Sequence, residues 1–171
     1  LLDQEMDHDH NRSVLTFAGD PHAVMEGVFE CIKLASERID LRTHQGAHPR
    51  IGATDVVPFI PLQEMTTVDC VALAHRLGER VGRELKIPVY FYGDAAKRPE
   101  REQLPNVRQG QFEGLRDAIK TDPARSPDEG PRDIHPSAGA TAIGARFFLI
   151  AYNINLKTTN VELAKSIAKT I

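Results

Sequence analysis

The chain has 171 residues, of which 41% are hydrophobic and 26% are charged, and its formal net charge is -3. This composition is typical of one globular domain with a hydrophobic core. The slight negative charge offers no basic surface for nucleic acid, and no apolar run approaches the roughly 20 residues that cross a bilayer. We therefore expect neither a nucleic-acid partner nor membrane insertion.

The first predicted elements are a strand and a long helix. Alternating branched residues predict a strand over 12–18. Asp20 followed by Pro21 is typical of a helix start, because the acid can cap the first turn and proline suits its first position. Apolar residues at helical spacing continue the helix to about Ile39.

A second strand, helix and strand follow. The strand over 53–62 contains Pro58, which cannot donate to a neighbour and therefore favours an edge position or a bulge. Thr66 and Asp69 have the spacing of a capping box ahead of the next helix, and a strand is predicted over 87–92. This alternation of strands and helices predicts an α/β or α+β class.

The last part of the chain is less regular. Prolines punctuate 93–136, with one short helix expected around Phe112 to Ile119, so this stretch is interpreted as a long lid or binding loop with little core. The strongest strand is predicted over 146–156. Thr159 with Glu162 then predicts a capped final helix.

The cysteines bear on the cellular compartment. Cys31 and Cys70 fall on predicted apolar helix faces without CxxC spacing, so we expect two reduced core thiols. Together with the lack of a visible signal sequence, this pattern favours the cytoplasm.

The segment 41–62 is interpreted as an active-site loop. Gly46 and Pro49 interrupt helical structure, which leaves Arg42, His44, His48 and Arg50 in a connecting loop. Histidine can take and return a proton near neutral pH, so an acid/base role is expected for His48. Arg50 would suit a carboxylate through bidentate pairing.

A metal site is an alternative for the same histidines. His44 and His48 have H-x3-H spacing, and the stretch 7–10 adds further possible ligands, Asp7, His8, Asp9 and His10. The helix that would bring the two histidines together is disfavoured by Gly46, so no metal is expected. The stretch 7–10 could equally be a solvated turn before the strand.

Two further segments suggest ligand contacts. The run 130–144 is rich in glycine and proline but has neither a Walker nor a Rossmann fingerprint, which disfavours a nucleotide. Its small residues would let the backbone approach a flat ligand. In the predicted last strand, Asn153 and Asn155 either bind local backbone or line a cleft.

Five separated motifs cover nearly the whole of 1–171. They are Asn11-Arg12-Ser13, HQGAHPRIGATDVVPFIPL, PVYFYGDAA at 88–96, LPNVRQGQFEGL at 104–115, and GARFFLIAYNINL at 144–156. Together, and in this order, they resemble the N-terminal subdomain of glutamate formiminotransferase. The family's first strand and its C-terminal subdomain lie outside the matched part.

The resemblance implies a mixed β-sheet with helices packed on one face. The other face would be exposed for a second subdomain, in the same chain or in trans, with folate held in the groove between them. A homo-oligomer is also possible. The implied reaction moves a formimino group from N-formimino-L-glutamate to tetrahydrofolate in histidine degradation, with tetrahydrofolate as co-substrate.

The resemblance also suggests site residues. The histidine of the HPR motif, His48, would be the acid/base group. The folate-binding segment would comprise Gly130, Pro131, Arg132, Asp133, Ile134, His135, Pro136, Ser137, Ala138 and Gly139. Beyond the resemblance, our own hypotheses from residue chemistry and strand periodicity give the candidates for contacts to the substrates, which are Arg12, Arg42, His44, Arg50, Asp55, Asn153 and Asn155.

Three functions are therefore compatible with the sequence. The first is the folate-dependent transferase. The second is a non-catalytic folate-binding or regulatory homologue of the N-terminal subdomain. The third is a metal-dependent hydrolase that uses His44, His48 and Asp7 or Asp9.

Overall fold

The computed structural model describes residues 1–150 and 154–170, and it confirms the predicted α/β class. The strands are β1 (Asp3–Asp7), β2 (Arg12–Thr16), β3 (Val56–Phe59), β4 (Val89–Gly93) and β5 (Thr141–Ala145). The α-helices are α1 (Pro21–Arg38), α2 (Thr67–Arg80), α3 (Leu104–Val107), α4 (Gln111–Thr121) and α5 (Val161–Thr170).

The two long helices begin where local capping residues predict. Asp20 accepts hydrogen bonds from the backbone N–H groups of His22 and Ala23, and Pro21 occupies the first turn of α1. Thr66 and Asp69 form the reciprocal capping box of α2. These caps satisfy N–H groups that have no partner within the helix.

The strands form two sheets. β1 and β2 make an antiparallel hairpin in which Asp7 faces Arg12. The parallel sheet has the order β3-β5-β4, with Val56 and Tyr90 both beside Ala142. β3 is an edge strand, which confirms the position predicted from its Pro58.

The parallel sheet is covered on both faces. α1 and α2 pack on one face against Val57, Phe91 and Ile143. On the other face, Tyr90 and Tyr92 pack with residues of α3 and α4, including Val107 and Leu115. Parallel strands are normally buried in this way. The second face, which the resemblance leaves exposed for another subdomain, is thus covered by residues of α3 and α4.

The region 93–136 is not a loop with little core. Its helix α4 confirms the short helix predicted around Phe112 to Ile119, and Phe112, Leu115 and Ile119 are buried. They belong to the layer over the second face of the sheet, so their apolar spacing serves core packing. The prediction that this stretch has little core is therefore wrong.

The last predicted strand is also wrong. The strand is β5, over Thr141–Ala145, while residues 146–150 and 154–156 have no regular secondary structure. β5 has five residues that are all buried. A strand that is buried on both faces lacks the alternation of apolar and polar residues that predicts a strand. The predicted segment alternates, but pairing with a neighbouring strand is not encoded in periodicity.

Two smaller predictions need correction. Asn160, rather than Thr159, caps α5, because its Oδ1 accepts the backbone N–H of Leu163 at 3.1 Å. Cys70 is buried, but Cys31 is exposed and therefore not a core thiol. Among the described residues, no helix is long and apolar enough to cross a membrane.

Candidate active site

The loop after α1 is joined to the turn between β1 and β2. Nε2 of His44 donates to the backbone oxygen of Asn11 at 2.9 Å, and Nδ2 of Asn11 donates to the backbone oxygen of Gln45 at 2.7 Å. The backbone N–H of Ala47 donates to Asp9 at 3.0 Å. His44 thus holds two loops together. Within the segment 7–10, residues 8–10 belong to the turn before β2, as one of the two interpretations of the sequence predicts.

This close approach depends on Gly46 and brings two histidines together. A Cβ at Gly46 would collide with the backbone oxygen of His10. The ring centroid of His10 lies 6.1 Å from that of His48 in an edge-on arrangement. Nδ1 of His10 is 2.6 Å from Oδ1 of Asp7, which orients the His10 ring.

His48 is partly buried and lies in positive surroundings. Burial lowers its pKa from the usual value of 6.5, and the charges of Arg108 and Arg12 lower the pKa further. Asp55 acts in the opposite direction. The neutral imidazole is therefore favoured at pH 7, and neither ring nitrogen hydrogen-bonds to another described residue. Such a ring can accept a proton from a substrate.

Asp55 is held by two protein groups. Its Oδ1 accepts the backbone N–H of Ile51 at 2.8 Å, and its Oδ2 pairs with Nη2 of Arg108. Both side chains of the ion pair are less than one-fifth exposed, at 18% for Arg108 and 17% for Asp55. Asp55 thus holds Arg108, whose charge acts on His48, and forms no hydrogen bond to His48 within the described residues.

Two of the predicted substrate arginines already have carboxylate partners. Arg42 is exposed and makes a double contact with Asp40, which lowers the pKa of Asp40 to about 2. Arg50 forms two hydrogen bonds to Glu113, at 3.0 and 2.8 Å, and one to the backbone oxygen of His44 at 3.1 Å. Arg50 therefore anchors the His48 loop to α4.

Arg12 is the predicted substrate arginine whose charge reaches His48. It is exposed at the start of β2 and lines an open groove of about 380 Å³. The groove's other lining residues are Glu5, Met6, Asp7 and Val14. Arg12 is thus available to a ligand that approaches His48 from the hairpin.

The glycine-rich segment 130–139 runs beside the start of the sheet. At its far end, the backbone of Ala138 accepts from Ala53 at 2.9 Å, and the backbone of Ser137 accepts from Leu41 at 2.8 Å. The segment therefore contacts the chain both before and after His48. Its exposed members are Gly130, Arg132, Asp133 and Pro136; Pro131, Ile134, His135 and Ser137 are partly buried, and Ala138 and Gly139 are buried.

Internal bonds define the shape of this segment. The backbones of His135 and Gly139 exchange two hydrogen bonds, and Nδ1 of His135 accepts the backbone N–H of Ala138 at 3.0 Å. Burial lowers the pKa of His135. The His135 ring is thus neutral and shapes the backbone, and the residues available to a ligand are the exposed ones.

Of the two asparagines predicted for the last strand, the structure describes Asn155. Asn155 is exposed outside any strand, and Asn153 lies outside the described residues. Over residues 1–150 and 154–170, no three His, Cys, Asp or Glu side chains are grouped so that they could hold a metal ion.

Three residues near the site were missed by the sequence interpretation. Arg108 lies in the LPNVRQG motif, Tyr92 lies at the end of β4, and Arg146 lies directly after β5. Burial raises the pKa of Tyr92 and has the largest effect, whereas a hydrogen bond from Arg146 and the charges of Arg146 and Arg108 lower it. A signal was present for Tyr92, because strand alternation places it opposite the face that holds Phe91.

Comparison with known proteins identifies the family. The family model described as formiminotransferase domain, N-terminal subdomain, matches residues 1–146. The chain belongs to this family. The resemblance inferred from the five formiminotransferase motifs is therefore confirmed.

Several curated relatives with formimidoyltransferase names also match this chain. The chain is 50% identical over its full length to a glutamate formimidoyltransferase of Streptococcus pyogenes serotype M1, covering 57% of that protein. It is 51% identical to one of Thermoplasma acidophilum, covering 56% of it. A formimidoyltransferase-cyclodeaminase of Rattus norvegicus is 47% identical over 95% of this chain and 30% of its own length. The chain thus spans about half the length of its transferase relatives.

Proposed function

We propose that the protein containing this chain transfers a formimino group from N-formimino-L-glutamate to N5 of tetrahydrofolate. Curated relatives at about 50% identity are named glutamate formimidoyltransferase, which supports this activity. The single observation that carries the mechanism is the partly buried His48 ring, whose pKa is lowered by burial and by the charges of Arg108 and Arg12. We also propose that the reaction serves histidine degradation in the cytoplasm.

His48 would move the proton that the reaction must relocate. The N5 amine of tetrahydrofolate attacks the formimino carbon, and a tetrahedral intermediate forms. His48 accepts the N5 proton and returns it to the glutamate nitrogen as the bond between that nitrogen and the carbon breaks. The products are 5-formiminotetrahydrofolate and glutamate, so one histidine serves both steps.

The positive charges around His48 suit the first of these steps. Because burial and the charges of Arg108 and Arg12 lower its pKa, the ring is unprotonated when the amine attacks. Arg12 is the candidate for a substrate carboxylate, since Arg42 and Arg50 are paired with Asp40 and Glu113.

We further propose that the segment 130–139 contacts tetrahydrofolate. Its exposed backbone around Gly130 and Pro136 would allow the flat ring system to approach closely. A second formiminotransferase subdomain, in the same chain or in trans, would close the groove and hold the two reactants together. Such positioning supplies much of the rate of a reaction between two substrates.

A transfer assay with formiminoglutamate and tetrahydrofolate tests the proposal. In the complete protein, His48→Asn should lower kcat at least about 100-fold, the usual loss when a general acid/base is removed. His22 is an exposed histidine at the start of α1 and offers a matched control. His22→Asn should retain the wild-type rate.

The outcomes separate the candidate functions. A wild-type rate in His48→Asn would refute the acid/base role. Binding of tetrahydrofolate without any turnover by the wild-type protein would instead support the non-catalytic homologue. Activity that requires a stoichiometric metal would favour the hydrolase.

A further inference from the structure

His10 and Asp7 form a hydrogen-bonded pair that the proposed mechanism does not use. Nδ1 of His10 is 2.6 Å from Oδ1 of Asp7, which also accepts the backbone N–H of His10 at 2.7 Å. A carboxylate can only accept, so Nδ1 of the ring carries a proton and donates it. The other ring nitrogen, Nε2, hydrogen-bonds to no other described residue. Nε2 is therefore the nitrogen that can take up and give a second proton.

Backbone contacts fix this pair beside His48. The turn that carries His10 is bonded to the His48 loop on both sides of Gly46, through the backbone oxygen of Gln45 and the backbone N–H of Ala47. The ring centroids of His10 and His48 lie 6.1 Å apart. Two hydrogen bonds of about 3 Å each span this distance. One small group, such as an amine nitrogen, can therefore contact both rings.

The pair borders a groove and is open to water. Asp7 and Arg12 face each other across the hairpin, and both line the open groove of about 380 Å³. The side chains of His10 and Asp7 are 45% and 49% exposed. A ligand in the groove can thus approach the pair, and solvent can return a proton to it.

Several titratable or charged groups lie on the segments packed against His10. They are Asp7 of β1, His8 and Asp9 of the turn, Arg12 of β2, and His44 and His48 of the loop. His44 is bonded to the backbone oxygen of Asn11, and His8 lies 3.6 Å from Asp9. Within the part of the chain that the structure describes, Asp7 is the acid that holds the His10 ring.

The transfer reaction requires one proton more than N5 supplies. In formiminoglutamate the glutamate nitrogen carries one hydrogen, whereas in free glutamate at neutral pH it is an ammonium group with three. His48 returns the N5 proton, which yields the neutral amine. A further proton must come from another group. Until it arrives, the amine can attack the formimino carbon again and reverse the reaction.

We propose that His10, held by Asp7, donates this second proton to the departing glutamate nitrogen. The inference rests on the proposed function, because it completes the proton balance of that reaction. As the bond between this nitrogen and the formimino carbon breaks, its electron pair stays on the nitrogen. That pair takes the proton from Nε2 of His10, and solvent then reprotonates Nε2. His48 keeps its role, and Asp7 is a positioning residue that acts through His10.

The pH dependence of kcat in the complete protein tests this assignment. His10→Ala should lower kcat at least about tenfold, while KM for each substrate stays within about twofold. The wild-type kcat should fall at high pH, where Nε2 has lost its proton, and this basic limb should be absent in His10→Ala. His8 is fully exposed in the same turn and offers a matched control. His8→Ala should keep both the wild-type kcat and the basic limb.

Added imidazole distinguishes a proton donor from a residue that only shapes the turn. Imidazole should raise kcat of His10→Ala at least about fivefold and leave His8→Ala unchanged. Asp7→Asn should also lower kcat. The double variant, with Asp7→Asn and His10→Ala, should be no slower than His10→Ala alone, because Asp7 acts through His10.

NMR titration of Asp7 tests the pair without any reaction. The backbone and side-chain hydrogen bonds from His10 lower the pKa of Asp7. His10→Ala removes the second of these bonds, so the pKa of Asp7 should rise. An unchanged pKa would overturn the pairing and with it the inference.

The outcomes separate this inference from the proposed function. A wild-type kcat in His10→Ala, or a basic limb that persists there, overturns the inference and leaves the transfer reaction intact. A slower His10→Ala that imidazole does not restore assigns His10 to the structure of the turn and also overturns it. Absence of transfer by the wild type overturns both.

Discussion

The guanidinium of Arg108 is paired with the carboxylate of Asp55, directly beside the loop that carries His48. The residues are 53 positions apart in the chain. The pair joins the α3–α4 layer to the start of β3, and the Arg108 charge favours the neutral form of His48. One contact thus serves both packing and the protonation state of the candidate acid/base residue.

Removing the Arg108 charge should move the titration of His48. In Arg108→Gln the pKa of His48 should rise toward its usual value, because one of the two arginines that lower it is lost. NMR titration of the His48 ring without substrate measures this directly. The acid limb of kcat/KM, which requires neutral His48, should shift to higher pH in the same direction.

Arg116→Gln provides the control for that shift. Arg116 is an exposed arginine of α4 that pairs with Asp117. The titration of His48 should be unaffected in Arg116→Gln, and an unchanged or lower His48 pKa in Arg108→Gln would contradict the electrostatic account.

In the wild type, stability contributed by neutral His48 should be lost as the pH falls below about 6.5, because the unfolded chain then binds the proton more readily.

The two arginines of the His48 loop should differ in their contribution to stability. Arg50 is 12% exposed and bonded twice to Glu113, whereas Arg42 is 62% exposed beside Asp40. Arg50→Lys loses the double contact in a poorly solvated position, so we expect a loss of about 1–3 kcal/mol. Arg42→Lys should cost less than about 1 kcal/mol because solvent screens that pair.

Urea unfolding of both variants measures these differences. Equal losses for Arg50→Lys and Arg42→Lys would show that Arg50 does not anchor the loop to α4. A selective loss in Arg50→Lys would instead explain why an arginine predicted to bind substrate is used within the protein.

A methyl group at Gly46 should separate the hairpin turn from the His48 loop. In Gly46→Ala the added Cβ meets the backbone oxygen of His10, so the backbone must move. The hydrogen bond from Ala47 to Asp9 should open, and hydrogen exchange at the Ala47 amide should accelerate at least about tenfold.

Gly114 supplies the control for a substitution of the same kind. A Cβ at Gly114, within α4, has no atom within 4 Å among the described residues. Gly114→Ala should therefore stabilise the protein by about 0.5–1 kcal/mol, because alanine favours the helix. Unchanged exchange at Ala47 in Gly46→Ala would contradict the tight contact.

Features that depend on neighbouring residues in the chain were predicted most reliably from the sequence. The starts of α1 and α2 were predicted correctly because Asp20, Thr66 and Asp69 act on backbone groups within three residues of themselves. The edge position of β3 followed from Pro58 for a similarly local reason. The five motifs identified the family, which the match over residues 1–146 confirms.

Contacts between distant residues were not predictable in the same way. Arg50 looked like a carboxylate-binding residue, but nothing in the loop reveals that Glu113, 63 positions later, is its partner. β5 was missed because a central strand buried on both faces has no alternation. Cys31 was assigned to the core because helical spacing does not define the exact width of the buried face.

The sequence by itself determined the α/β class, the capped starts of α1 and α2, the family, and His48 as the residue to test. The tertiary structure decided which charges act on His48 and which arginines are already paired. The physical reason is range. Caps and turns depend on neighbours in the chain, whereas burial and charge pairing depend on residues that only folding brings together.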